Sequence, residues 1–311
     1  MAKMFKHSDD ADVRQLAIFE TPSTNTSVLE KRFLNIHPVS GITPNTNVIH
    51  FCIKVNDLKY IDLQKTQLYV RCKILDKDGH PTIDEIPRDR STSTIPRGDE
   101  EAKATNSKEV AFPINHLLQS MWKQVEVYLG GKLVSAGSTN YHYKSMIKTL
   151  LYRCQDEGMK QKLCSELFYE DTKGTHDSLN NSPMNLGSFY HKELTVGGET
   201  FEMEGPLNED TFNLGKYLIN GVNLDLKLYP ARSAFALMSN SPNKEYSIII
   251  EEAILKCYTI EVSSTIVSAH TQSMEKAGMA QYFFNQAQLN SFTIPKGISH
   301  RLSSKVISHT R

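Results

Sequence analysis

Eleven histidines and five cysteines are the side chains of this 311-residue protein best suited to metal or nucleophilic chemistry, and their spacing organises little of it. The histidines are scattered singly. A metal-dependent oxygenase on a β-scaffold needs two histidines and a carboxylate brought together, often from a close His pair. His142, between Tyr141 and Tyr143, has no second histidine within four residues and reads as a hydrogen-bonded structural residue. The cysteines, Cys52, Cys72, Cys154, Cys164 and Cys257, are odd in number, and no two of them sit at C-x-x-C spacing. That argues against a disulfide framework and against a zinc knuckle. Cys52, Cys72 and Cys257 fall inside strand-like runs and read as small buried hydrophobes. Glu251-Glu252 and Asp99-Glu100-Glu101 are carboxylates adjacent in sequence, whereas glycosidic hydrolysis needs two facing one another across a cleft. Gly130-Gly131-Lys132 superficially resembles a phosphate loop, but no helix N-terminus follows to aim N–H groups at an anion. Phosphate-cradle, dinucleotide, zinc-protease and nucleophile-elbow patterns are all missing from the sequence. No catalytic, cofactor-binding or metal-binding residue is therefore assigned, and the expectation is a protein that is not an enzyme.

Charge narrows the partners. Lys+Arg and Asp+Glu both number 35, giving a formal net charge of zero. A surface that neutralises many phosphates is basic, so specific nucleic-acid binding is not expected. Arg88, Arg90 and Arg97 share their segment with Asp84, Glu85, Asp89 and Asp99, which cancel them. There is no apolar run of spanning length, and Met1 to Phe5 opens no stretch of signal-peptide length. No membrane partner is expected, and an intracellular location is.

The elements that would position any site are mostly strands. Ile49, Phe51, Ile53 and Val55 alternate with polar residues, as do Leu68, Val70, Cys72 and Ile74, then Val125, Val127 and Leu129, then Val222, Leu224, Leu226 and Leu228. Period two places one apolar face on a core. Ile254, Lys256, Tyr258, Ile260 and Val262 suggest a further strand face, with Lys256 the exception. Gly130-Gly131 predicts a tight hairpin, Asn220-Gly221 another, and Gly197-Gly198 separates strand signals at 194–196 and 201–203. Asn115 to Trp122 suggests one or two helical turns. Tyr143, Met146, Ile147, Leu150, Leu151 and Cys154 are spaced three and four apart, the stripe by which an amphipathic helix covers a core. Gly158 is expected to break that helix, and Leu163 and Leu167 to continue a second piece.

The fold class predicted is mainly β: an antiparallel β-sandwich of Greek-key or jelly-roll wiring with an inserted helical segment. Its expected parts are an N-terminal arm over 1–45 and a jelly-roll domain over 46–264. Within that domain lie a long loop at 76–109 and the helical insertion at 141–170. A linker helix at 265–278 leads to a tail at 279–311, with strands at 282–284 and 289–294.

Four segments together resemble a known family. They are Tyr60-Ile61-Asp62-Leu63; Phe112 to Trp122 running into Gln124 to Lys132; Tyr141-His142-Tyr143-Lys144 with Leu150-Leu151-Tyr152; and Gly205-Pro206-Leu207-Asn208-Glu209-Asp210. Their order resembles that of the hexon-like major capsid proteins of Maverick/Polinton elements and adintovirus-like viruses, over about residues 20 to 300. The resemblance implies a double jelly-roll whose subunits form homotrimeric capsomers, with neighbouring capsomers and a penton or minor capsid protein as partners, in a virion. It also implies a longer chain, so that 279–311 would open a second roll cut short, in a truncated or transposon-derived copy. The alternative is a β-sandwich module that recognises glycan or protein ligands through exposed aromatics such as Tyr141, Tyr143, Phe189 and Tyr190.

Overall fold

The computed structural model describes residues 26–44, 46–54, 58–81, 110–135, 137–154, 157–176, 179, 185–241, 243–289 and 296. Most of the loop expected at 76–109, the first 25 residues of the expected arm and all but Leu289 of the strand expected at 289–294 lie outside the described residues.

The strands are β1 (Val28–Ile36), β2 (Ile49–Ile53), β3 (Lys59–Asp76), β4 (Ala111–Pro113), β5 (Trp122–Leu129), β6 (Lys132–Leu133), β7 (Phe201–Pro206), β8 (Leu224–Pro230), β9 (Leu237–Ser239) and β10 (Tyr246–Val262). They form two four-stranded antiparallel sheets, in the orders β1-β10-β3-β7 and β2-β8-β5-β6, and a small β4-β9 ribbon. Without the ribbon, the remaining strands taken in chain order occupy places 1-8-3-6 in one sheet and 2-7-4-5 in the other. Successive strands thus cross repeatedly between sheets, which is the wiring of a jelly roll.

The period-two runs supply the core. Ile49, Phe51 and Ile53 of β2, Leu68, Val70, Cys72 and Ile74 of β3, Val125 and Val127 of β5, and Leu224, Leu226 and Leu228 of β8 are all buried in one cluster with Trp122. Alternation puts every one of these on the inner face of its sheet, where the two faces meet. Gly130 and Gly131 have φ of 56° and 81° and close the β5–β6 hairpin, the conformation expected of that pair.

Several expectations change. Val28–Ile36, inside the stretch read as an arm, is an edge strand paired with β10. Its side chains are nearly all exposed, so no alternation betrayed it. On β10 the inward residues are Ala253, Leu255 and Cys257, and then Ile260 and Val262. A register shift between Lys256 and Tyr258 reverses the phase, so Ile254, Lys256 and Tyr258 point away from the core. Lys256 is no exception there: its Nζ donates to Glu204 at 2.6 Å. Residues 194 and 195 end a helix instead of forming a strand. Asn220-Gly221 is a turn leading from the Ile61–Leu218 bridge to β8, not the tip of a hairpin. Tyr282 to Phe284 pair with no strand. Tyr282 and Phe284 instead rest half-buried on the core, with the Tyr282 hydroxyl donating to the Tyr217 carbonyl and accepting from the Ile219 N–H.

The helices are α1 (Leu117–Ser120), α2 (Tyr141–Lys148), α3 (Glu157–Leu163), α4 (Leu186–Thr195), α5 (Ser233–Ala236) and α6 (Ser264–Ala277). A π-helical turn at Thr149–Arg153 prolongs α2. Gly158 lies inside α3, and the α2 segment gives way earlier, at Cys154. No helix among the described residues is long and apolar enough to cross a membrane.

Candidate functional site

The helix α2 is turned inside out. Of its stripe expected against the core, Met146 and Cys154 are half-buried, yet Tyr143, Ile147, Leu150 and Leu151 are 49%, 45%, 50% and 56% exposed, and Tyr152 beyond them 72%. The buried face carries Tyr141, Lys144, Ser145 and Thr149. Hydrophobicity alone would roll this helix the other way. What holds it is a set of polar partners that water would otherwise have to supply.

Those partners come from the segments Phe112–Lys132 and Gly205–Asp210. The Tyr141 hydroxyl donates to Gln119 Oε1 at 2.6 Å and accepts from the Asn208 N–H at 3.0 Å. Asn208 Nδ2 donates to Ser145 Oγ at 2.6 Å and to Thr149 Oγ1 at 3.1 Å. Lys144 Nζ lies 2.8 Å from Asp210 Oδ2 and 3.3 Å from Glu209 Oε2. Lys148 Nζ donates to Asp210 Oδ1 at 2.8 Å and to the Asn208 carbonyl at 3.1 Å. From the tail, the Ala287 N–H donates to Asp210 Oδ2 at 2.7 Å.

A second knot adjoins the first through Gln119. Its Nε2 donates to the Pro206 carbonyl at 2.7 Å and to Glu166 Oε2 at 3.0 Å. The same Oε2 takes the His116 Nε2–H at 3.1 Å, and Arg153 clamps Oε1. His116 has φ of 61° at the start of α1, and its N–H bonds the Leu167 carbonyl at 2.7 Å. So unusual a backbone for a non-glycine residue persists only where its surroundings fix it.

Burial and hydrogen bonding compete in these carboxyls. Burial pushes Glu166 up, but hydrogen bonds from His116 and Arg153 outweigh it and hold the carboxyl below its usual range. Asp210 is likewise pushed up by burial and brought below its usual range by Lys144, Lys148 and Ala287. In Glu209 burial wins, with Asp210 adding to it against Lys144, and its pKa is raised. Burial also drives the Tyr141 phenol far up. The arrangement is closed and neutralised from within. Its chemistry is that of a rivet between helix and sandwich, not of a cleft that receives a substrate.

Gly205 shows how tightly the rivet is set. A Cβ placed there would lie 2.5 Å from Glu166 Cγ. Because His116, Gln119 and Arg153 hold that carboxylate, its stem cannot swing away. Gly205→Ala is expected to cost about 1–3 kcal/mol, as overpacking does, read as a lower urea midpoint with unchanged slope.

The other candidate residues do not assemble into a site. Tyr141 lies on the buried face of α2, Tyr143 meets Phe235 edge-on beside His142 on its outer side, and Phe189 and Tyr190 lie together on α4, so the four aromatics share no patch. His142 sits 4.3 Å, centroid to centroid, from both Tyr143 and Phe235. All five cysteines are free thiols, and burial pushes Cys257 up to about 12 and Cys72 higher. Asp76, Asp78 and His80 have ligand atoms within 4.8 Å of one another, a spacing that could hold a cation. Asp76 Oδ1 already accepts the N–H groups of Asp78 and His80, as an Asx-type turn requires. The sequence reading missed the rivet. Its visible trace was Lys144 and Lys148 four apart on the face of Tyr141 and Ser145, matched by the acidic pair Glu209-Asp210.

Fold and site together define a jelly-roll sandwich whose helical insertion is bolted on by buried charge. No family model matches the chain. It is 22% identical over 277 residues to the uncharacterized protein F54H12.2 of Caenorhabditis elegans, covering 89% of this chain and 59% of that protein's length. Among solved structures it is similar to VP54 of PBCV-1, fitted into a cryo-EM reconstruction of the virophage Sputnik, with a TM-score of 0.41 and 10% identity over 82% of this chain and 47% of VP54.

Proposed function

We propose that the protein is a structural, non-enzymatic subunit of a capsid-type shell, of the Maverick/Polinton and adintovirus-like kind, that self-associates into trimeric capsomers. One observation carries this reading. Polar residues of three signature segments, far apart in sequence, bond to one another inside the molecule and are spent on holding the helical insertion. Residues that served a reaction would face a substrate, whereas these lock a helical insertion onto a stiff sandwich. A shell gains from that stiffness, since its curvature is set by fixed subunit geometry. A net charge of zero fits close packing of identical copies, which like-charge repulsion would oppose. The assignment of capsid work to a jelly roll is by analogy, because the fold also serves lectins and cupins. A second roll, contacts with a penton or minor protein and residence in a virion belong to the same proposal.

Sedimentation velocity with multi-angle light scattering tests it on the full chain. The expected result is a concentration-dependent discrete oligomer, a trimer. A strict monomer at the highest attainable concentration would refute it.

A further inference from the structure

Resting on the self-association reading, we propose where the copies touch: the exposed apolar face of α2 and its π turn docks on the β1 edge of a second copy, head to tail. Tyr143, Ile147, Leu150 and Tyr152 expose on the order of 400 Å² at about 200 Å² per large side chain. That is the size of the largest patch a soluble monomer commonly shows, and such patches are often functional. It amounts to about half of the ~800 Å² each partner buries in an ordinary interface, the share an apolar centre takes inside a polar rim.

Charge placement agrees. The cations of this segment, Lys144, Lys148 and Arg153, all turn inward to Glu209, Asp210 and Glu166. The outer face is thereby stripped of charge, as interface centres are. A helix that spends its positive groups on its own interior and leaves its apolar ones outside is stable only because the rivet holds it so.

The occupant follows from the opposite side of the molecule. The helical insertion is anchored at the β7 edge of the first sheet, where Ser165 Oγ donates to the Glu204 carbonyl and Glu166 lies over Gly205. At the other edge of that sheet β1 has β10 as its one strand neighbour among the described residues, and Leu29 and Phe33 are 62% and 49% exposed. Glu30, Lys31 and Arg32 alongside supply both signs of charge for a rim. Two apolar surfaces on opposite edges of one sheet cannot cover each other within a chain. Repeated between copies they make a heterologous contact, the kind that closes a ring.

Sedimentation velocity of Ile147→Asp/Leu150→Asp, of Leu29→Asp/Phe33→Asp and of their equimolar mixture decides it, with circular dichroism as the folding control. Tyr152→Arg, at the most exposed position of the face, is the milder second variant. Each double variant is expected to weaken association about 100-fold or more, as loss of interface anchors does. The mixture is expected to form one-to-one dimers, because each variant keeps the half the other lacks. If the wild type assembles and the helix-face variants still assemble, or if only the β1 variant does, the docking is wrong while the shell reading stands. A mixture that stays monomeric excludes the head-to-tail contact. A monomeric wild type removes both.

Discussion

Lys144→Met should destabilise the protein by about 3–5 kcal/mol, because removing one partner of a buried ion set leaves the others uncompensated. Lys144, Glu209 and Asp210 are all nearly inaccessible, and the ammonium touches both carboxylates. Asp210 keeps Lys148 and the Ala287 N–H after the substitution; among the described residues Glu209 keeps only the backbone N–H of its neighbour Asp210. The deficit should therefore fall mainly on Glu209 and should depend on pH in a definite sense. Glu209 already has a raised pKa in the folded protein, and losing Lys144 raises it further. Over the interval above the ordinary carboxylate value the folded variant then binds more protons than its unfolded chain, so its stability falls as pH rises. Urea unfolding at pH 5 and pH 8 should show a larger loss at pH 8. Lys144→Met/Glu209→Gln should recover much of it, since a neutral amide needs no counter-charge. A deficit equal at both pH values, or one untouched by the second substitution, would mean that the helix is held by its packing and not by the ion set.

That prediction bears on why the fold was legible and the rivet was not. Strand runs such as Leu224 to Leu228 or Leu68 to Ile74 announce themselves because apolar burial with period two needs no knowledge of partners. The jelly-roll class follows from such runs and the scarcity of helices. The orientation of α2 could not follow, because Tyr143, Ile147 and Leu150 form a proper amphipathic stripe. Sequence periodicity says that a stripe is apolar, not what it faces. Here the contest is settled by Gln119, Asn208, Glu209 and Asp210, up to about 70 residues away along the chain. The edge strand Val28–Ile36 escaped for the complementary reason. It is exposed on nearly every side chain, so no core wrote a pattern into it. The phase reversal near Lys256 is likewise a property of the pairing with β3 and leaves no local mark. In each case the missing information is the identity of a partner remote in sequence, and in two of them, α2 and β1, the surface left over is the one proposed to meet another copy.

Acid should weaken the protein through a different residue, His191, before it reaches the carboxylates. His191 lies on α4, whose Asn185 cap accepts the Gly187 N–H and whose body packs on β4. Its ring meets the edge of Tyr169 at 5.3 Å, and neither ring nitrogen has a hydrogen-bond partner among the described residues. Burial pushes its pKa down to about 4. Lys192, the adjacent cation, sends its Nζ to the Leu179 carbonyl and over the Phe112 ring, and Glu193 and Tyr190 line the surface depression beside Tyr169. An unfolded histidine titrates near 6.5, so between about 6.5 and 4 the unfolded chain binds the extra proton and stability climbs with pH. At pH 4.5 this residue alone should have removed about 2 kcal/mol of the stability present at pH 7. Glu209, with its raised pKa, acts in the opposite sense over part of that range. Glu166 and Asp210 have lowered values, so their contribution persists above the ordinary carboxylate pKa and is lost only as pH falls below it. His191→Phe keeps an aromatic ring against Tyr169 and has nothing to protonate. Whatever it costs in packing is the same at both pH values. The difference in unfolding free energy between pH 7 and pH 4.5 should therefore shrink by about 2 kcal/mol in this variant relative to the wild type. Parallel pH profiles for the two proteins would place the acid sensitivity elsewhere, in the carboxylates of the rivet.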